Sequence, residues 1–178
     1  MKKLYGEERR QILLEKIKTA NKPLTGSELA AVAQVSRQVI VGDMTLLKAK
    51  GEPILATSQG YLYMNNETGR VETSRRIACR HQPQDTEQEL MVLVEAGVTV
   101  KDVSIEHPVY GELTAGIHVS TPQQVADFMK RVRDTGASYL LELTDGTHLH
   151  TITAANDAAL DRAEAAMQEH GFLLEDSE

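Results

Sequence analysis

Between Glu7 and Lys50 the apolar residues fall into three short helical stripes, and the breaks between them are too brief to hold more than turns. In the first, Ile12, Leu13, Ile17 and Ala20 recur at helical spacing among charges, which predicts an amphipathic helix over residues 7–19 that Asn21-Lys22-Pro23 ends. In the second, a small polar residue caps a short helix within residues 24–33, with Leu29 and Val32/Ala33 inward. After a turn at Gln34-Val35, Ser36 is the natural N-cap of a third helix, residues 37–50. Its Ile40, Met44 and Leu47 form an i, i+4, i+7 stripe, and Gly51 stops it. Three short helices with a tight turn before the last make the helix-turn-helix pattern, whose last helix enters the major groove of double-stranded DNA. Residues 54–63 then read as a β-hairpin turned at Gln59-Gly60, in the position of a wing.

The inward stripe leaves Arg37, Gln38, Val41, Thr45 and Lys48 facing outward. Arg37 can make bidentate contacts to guanine and Gln38 to adenine, whereas Lys48 and Lys50 suit phosphates. Ser27-Glu28-Leu29-Ala30, then Val35-Ser36-Arg37, a helix ending in Lys50-Gly51 and a hairpin closing on Gly60-Tyr61 together resemble the winged helix-turn-helix of the biotin-repressor type. The resemblance covers nearly all of residues 7–63.

Charge separates this stretch from the rest. Residues 1–64 carry 10 Lys and Arg against 6 Asp and Glu, a net +4, while residues 65–178 carry 9 against 20, a net -11, within an overall -7. A basic first third on an acidic remainder is expected when only the first part meets a polyanion. The polar, Gly-containing run 65–70 is the candidate boundary, between a DNA-binding domain over residues 1–64 and a second domain over residues 71–178. The single Cys79 excludes an internal disulfide and a cysteine-based zinc finger, and reads as a small buried hydrophobe. No stretch approaches the length of a membrane span, so a soluble cytoplasmic protein is expected.

In the second domain the pattern predicts strands at 74–81, 99–106, 113–120, 139–143 and 147–153, with a short closing strand at 172–174. Helices are expected at 86–95, 122–135 and 157–170. The fold class is therefore α+β: a winged helix-turn-helix followed by a two-layer α/β sandwich with a mixed sheet. His148 and His150 stand two apart on one strand and face the same way, an arrangement that suits neutral nitrogen donors around a transition metal. His81 ends the first strand just before the helix carrying Glu87 and Glu89. If the two strands are neighbours, three histidines and a carboxylate converge. Glu89 also has the spacing of a capping box with Thr86, which leaves Glu87 or Asp85 as alternative ligands.

His81-Gln82-Pro83-Gln84-Asp85 before an acidic helix, Glu106-His107-Pro108-Val109-Tyr110-Gly111, and Leu143-Thr144-Asp145-Gly146-Thr147-His148-Leu149-His150-Thr151-Ile152, all behind a winged helix, resemble the nicotinate-responsive transcriptional repressors. The resemblance covers nearly the whole chain. It implies a non-enzymatic repressor of NAD-synthesis or niacin-uptake genes, with nicotinic acid as co-repressor and a divalent transition metal, nickel or zinc, in the second domain. His81, Glu89, His148 and His150 then take the ligand roles. His107 suits either a bond that fixes its turn or a wall of the effector pocket, Tyr110 can stack on an aromatic ring, and Arg80 can pair with a carboxylate. His118 and His170 read as structural. A homodimer is expected, because two-fold operators mirror two-fold proteins. A metal-responsive regulator and, behind it, a metallohydrolase are the alternatives.

Overall fold

The computed structural model describes residues 5–64 and 72–175. The chain forms two compact units, Met1–Gly69 and Arg70–Glu178. The run 65–70 lies outside the described residues.

In the first unit α1 (Gly6–Lys18), α2 (Gly26–Ala33) and α3 (Arg37–Ala49) precede the hairpin of β1 (Ile54–Thr57) and β2 (Gly60–Tyr63). Thr25 and Glu28 close a capping box on α2, and the Ser36 hydroxyl accepts the Val39 N–H at the start of α3. Leu13, Leu14, Ile17, Leu29, Ala33, Ile40, Met44 and Leu47 make the core. The stripe on α3 is inward as expected. Ile12 and Val32 are instead exposed, and Leu14 takes the inward place on α1. The hairpin pairs Thr57 with Gly60, so its turn is Ser58-Gln59, one residue earlier than the Gly60 signal implied. Gly60 serves another purpose: a Cβ there would lie 2.5 Å from the Leu24 carbonyl, and the backbones of Leu24 and Tyr61 bond each other, fastening the wing to the α1–α2 connection.

Among the described residues, Asp43 is the one buried charge of this core, on the inner side of α3. Its carboxylate accepts from Arg9 Nε at 2.6 Å and Nη2 at 3.1 Å, and lies 3.4 Å from Arg10. These bonds join α1 to the helix that carries the DNA-facing residues. Asp43→Ala is expected to cost about 2 kcal/mol, less than a fully buried pair because both arginines keep some water contact. Urea unfolding measures it, and an unchanged midpoint rejects it.

The second unit runs β3 (Thr73–Arg80), α4 (Thr86–Glu95), β4 (Thr99–His107), β5 (Gly111–Val119), α5 (Pro122–Thr135), β6 (Thr147–Ala154) and α6 (Asp157–Glu169). The sheet order is β3-β6-β4-β5. It is antiparallel throughout, not mixed. The α4 crossover leaves β3 and β4 pointing the same way, but β6 inserts between them and they never pair. Residues 139–143 are not a strand either. A 3-10 turn spans Leu140–Thr144, the Glu142 carboxylate accepts the Tyr139 N–H, and only Leu141 is buried. Residues 172–174 give a single bridge, Cys79 to Leu173, along the edge of β3. Leu90, Leu93, Val125, Met129, Leu160 and Met167 of the helices pack on Ile77, Cys79, Val100, Val119 and Ile152 of the sheet, forming the two layers.

Candidate metal centre and DNA-facing helix

The register of β3 against β6 sets Cys79 opposite His148 and Ile77 opposite His150. The strands of the three histidines are thus neighbours. His148 and His150 point to the helix side, where α4 brings Glu89 down from its first turn. Thr86 does not cap that helix through its hydroxyl, which bonds the Pro83 carbonyl, so the capping-box reading of Glu89 does not hold. Glu89 turns inward and is 1% exposed. Glu87 is exposed, and the Asp85 carboxylate accepts the Gln82 N–H, so neither joins the cluster.

The Glu89 carboxylate lies 2.7 Å from His81 Nε2, 2.9 Å from His148 Nε2 and 3.2 Å from His150 Nε2. Each ring is held from behind in the same way. His81 Nδ1 is 2.8 Å from the Gln82 carbonyl, His148 Nδ1 2.8 Å from that of Gly146 and His150 Nδ1 2.7 Å from that of Asp102. A carbonyl only accepts, so each Nδ1 carries the proton and each Nε2 turns toward Glu89. The Asp102 carbonyl is available because a bulge between Val100 and Asp102 breaks the β4 register, with His118 opposite it in the left-handed region at φ 54°.

Three Nε2 atoms and a carboxylate facing one another out of water need positive charge among them, from a proton or from a metal ion. The Nε2 atoms of His81 and His150 are buried without an aligned hydrogen-bond partner, close as Glu89 is. This donor set, each imidazole oriented by a carbonyl behind it, fits a divalent transition metal. Tetrahedral bonds near 2.0–2.1 Å set donors about 3.3 Å apart, and the Glu89 oxygens already stand 2.7–3.2 Å from the three Nε2 atoms.

Without an ion, protons supply the positive charge. Burial works against charge on His81 and His150, but the adjacent Glu89 more than offsets it, and both are raised above the usual value of 6.5. Burial alone would raise Glu89; the charge on His150 and the contacts from His148, His150 and His81 hold it well below the usual 4.5. The carboxylate contribution is therefore present above pH 4.5 and lost as pH falls through its depressed value. The imidazole contribution is full below pH 6.5 and lost as pH climbs through the raised values. Chelator-treated protein is expected to melt at lower temperature at pH 8 than at pH 6. A higher melting temperature at pH 8 overturns this.

The other expected contacts fall elsewhere. Arg80 faces away from His81, is exposed and reaches Asp145 at 3.4 Å. His107 Nδ1 accepts the N–H groups of Val109 and Tyr110, both at 3.2 Å, which fixes the hairpin tip; Tyr110 is 75% exposed, its ring 5.0 Å from that of His107. Among the described residues, none of these three makes a hydrogen bond, ion pair or ring contact with the cluster. His170 ends α6 with Nδ1 on the Ala166 carbonyl. On α3, Arg37, Gln38, Thr45 and Lys48 are all exposed, and Lys50 pairs with Glu7 at 3.1 Å.

Sequence reasoning missed two contributors. Cys79 precedes His81 by two residues on one strand, and that spacing was the available signal that it shares the cluster's face. Gly146, at φ 89°, supplies the carbonyl behind His148, and a Cβ there would lie 2.4 Å from the His81 carbonyl oxygen. Asp145-Gly146 read only as a turn.

A three-helix unit with a hairpin wing and an open face on its last helix, joined to a unit built around a buried three-histidine cluster, defines a two-domain DNA-binding regulator. An HTH domain model matches residues 9–62 and a 3H domain model matches residues 74–176. The chain is 54% identical over 175 residues to "Transcription repressor NadR" of Bacillus subtilis (strain 168), covering 98% of this chain and 97% of that protein. It is 35% identical over 174 residues to "Probable transcription repressor NiaR" of Thermotoga maritima, covering 98% of each. The chain belongs to this family of 3H-domain transcription repressors. Among the described residues, no helix is long and apolar enough to cross a membrane.

Proposed function

We propose that this repressor controls genes of NAD synthesis or niacin uptake, holds nickel or zinc in its second domain and answers to nicotinic acid as co-repressor. The observation that carries the sensing part is the convergence of three carbonyl-braced imidazoles on the buried Glu89. The names NadR and NiaR of the two relatives support the NAD and niacin connection. His81, Glu89, His148 and His150 hold the ion, which supplies a positive centre able to attract a carboxylate or a ring nitrogen. The protein's residues do the rest: the carbonyls of Gln82, Gly146 and Asp102 keep the imidazoles aimed, and Glu89 balances the charge.

The working form is a homodimer on a two-fold operator. Arg37 and Gln38 read base edges, Thr45 lies on the same exposed face, and Lys48 meets phosphate. Arg37→Ala is expected to cost about 1–3 kcal/mol of specific operator binding and to leave metal content unchanged. A DNA-shift titration with metal analysis checks both, and full-strength operator binding removes Arg37 from the interface. Nicotinate and operator must tighten each other by one common factor, because linkage is reciprocal.

Calorimetric titration of nicotinic acid into the protein, before and after chelation and with nicotinamide as control, tests the reading. Saturable nicotinate binding that needs the metal is expected, and its absence in both forms rejects nicotinate as effector. One feature favours a second reading, a metal-responsive regulator: none of the four clustered side chains is more than 2% exposed, so the ion itself is the ligand best enclosed here. In that case metal, without nicotinate, restores operator binding.

A further inference from the structure

We infer that Cys79 is a fifth donor of this centre and lets it take a thiophilic divalent cation, such as zinc, cobalt or cadmium, through sulfur. The inference rests on the metal reading above and extends it to a residue outside the three-histidine, one-glutamate set.

Four observations converge on it. Cys79 lies opposite His148 in the β3–β6 register, and its side chain packs on the helix side of the sheet. Its Sγ, a Glu89 oxygen and a His148 nitrogen all lie within 4.8 Å of one another. The thiol is 0% exposed; the Ile77 carbonyl of its own strand, 4.0 Å away, is at the limit of a sulfur hydrogen bond, and its other partner is the Glu89 carboxylate of the cluster, which together with burial holds it protonated until a cation displaces the proton. Beside it, His81 Nε2 and His150 Nε2 are buried and lack an aligned partner. A small apolar residue would fill the same space; a thiol adds a donor where donors already gather.

The geometry leaves room for sulfur. With metal–sulfur bonds near 2.3 Å and metal–nitrogen bonds near 2.0–2.1 Å, tetrahedral donors stand roughly 3.3–3.6 Å apart, so from separations within 4.8 Å the sulfur has about 1 Å at most to travel. Rotation about the Cys79 and Glu89 side-chain bonds supplies movements of that size. The step balances without oxidant or reductant: the metal–sulfur bond forms, the S–H bond breaks and the proton leaves to water. Softer ions exchange a carboxylate bond for the sulfur, and harder ions such as manganese stay on nitrogen and oxygen.

Cobalt(II) titration of the full chain, followed by absorption spectroscopy, tests this. Visible d–d bands report uptake by the centre, and a near-ultraviolet thiolate-to-cobalt charge-transfer band reports sulfur. Cys79 is the only cysteine of the chain, so that band has no other source. The expected result is both sets of bands in the native protein, with the near-ultraviolet band lost and the visible bands kept in Cys79→Ser and Cys79→Ala. Visible bands without the charge-transfer band in the native protein overturn the inference and leave the metal reading standing. No visible bands at all remove both. Two variants are used because a serine hydroxyl in this core can unsettle the fold, whereas alanine only shortens the side chain.

Discussion

Glu89→Gln is expected to strip the protein of its metal and to destabilise the chelator-treated second unit by about 3–5 kcal/mol, the range for breaking a buried ion pair. Among the described residues Glu89 is the only carboxylate in the cluster, and it stands within 3.2 Å of all three Nε2 atoms. Gln preserves its shape, removes the charge that balances a cation, and puts an NH2 group, which donates hydrogen bonds but does not bind a metal, where one carboxylate oxygen stood. Losing an outer-shell partner costs roughly 10–100-fold in metal affinity, and a direct anionic donor is expected to cost more. Metal content by elemental analysis and thermal unfolding with and without chelator read the two parts separately. Glu87→Gln is the control, because that side chain is exposed and its loss should change neither. Full metal content in Glu89→Gln would reassign the acidic ligand.

Gly146→Ala is expected to cost about 2–4 kcal/mol and to weaken metal binding together with stability. Gly146 sits at φ 89°, where an L side chain is strained, and its Cβ would be 2.4 Å from the His81 carbonyl oxygen. The obstruction is backbone and has no flexible end to swing away. Gly146 also supplies the carbonyl that orients His148 and lies 3.4 Å from the His81 N–H, so displacing it moves two of the three imidazoles. Asp145→Asn, one residue earlier and exposed, keeps a side chain suited to the left-handed backbone there, removes only the charge 3.4 Å from Arg80 and should leave metal uptake intact. Equal uptake in Gly146→Ala and the native chain would show that the site tolerates a different turn.

The helix-turn-helix was legible because its signals are local. Ser36 caps α3 wherever the chain folds, and Ile40, Met44 and Leu47 mark the inward face by spacing alone. Periodicity is local in the same way for α4 and α5, which span Thr86–Glu95 and Pro122–Thr135 as it predicts, although Thr86 is not the cap of α4. Residues 139–143 failed for a related reason: Tyr-Leu-Leu-Glu-Leu alternates weakly enough for a strand, and what decides for a 3-10 turn is the Glu142 carboxylate on the Tyr139 N–H and the left-handed Asp145 beyond it.

By itself the sequence determined the winged helix, the break in charge between the two parts, and the chemistry of the second: three histidines and a carboxylate of the right kinds. Tertiary structure decided which carboxylate joins them, because only the packing of α4 on the sheet turns Glu89 inward and leaves Glu87 in water. It also decided that the sheet is antiparallel, by inserting β6 between β3 and β4. That insertion brings His148 and His150 beside Cys79 and His81. Pairing between strands some 70 residues apart depends on the whole hydrophobic layer closing, and no local pattern records it.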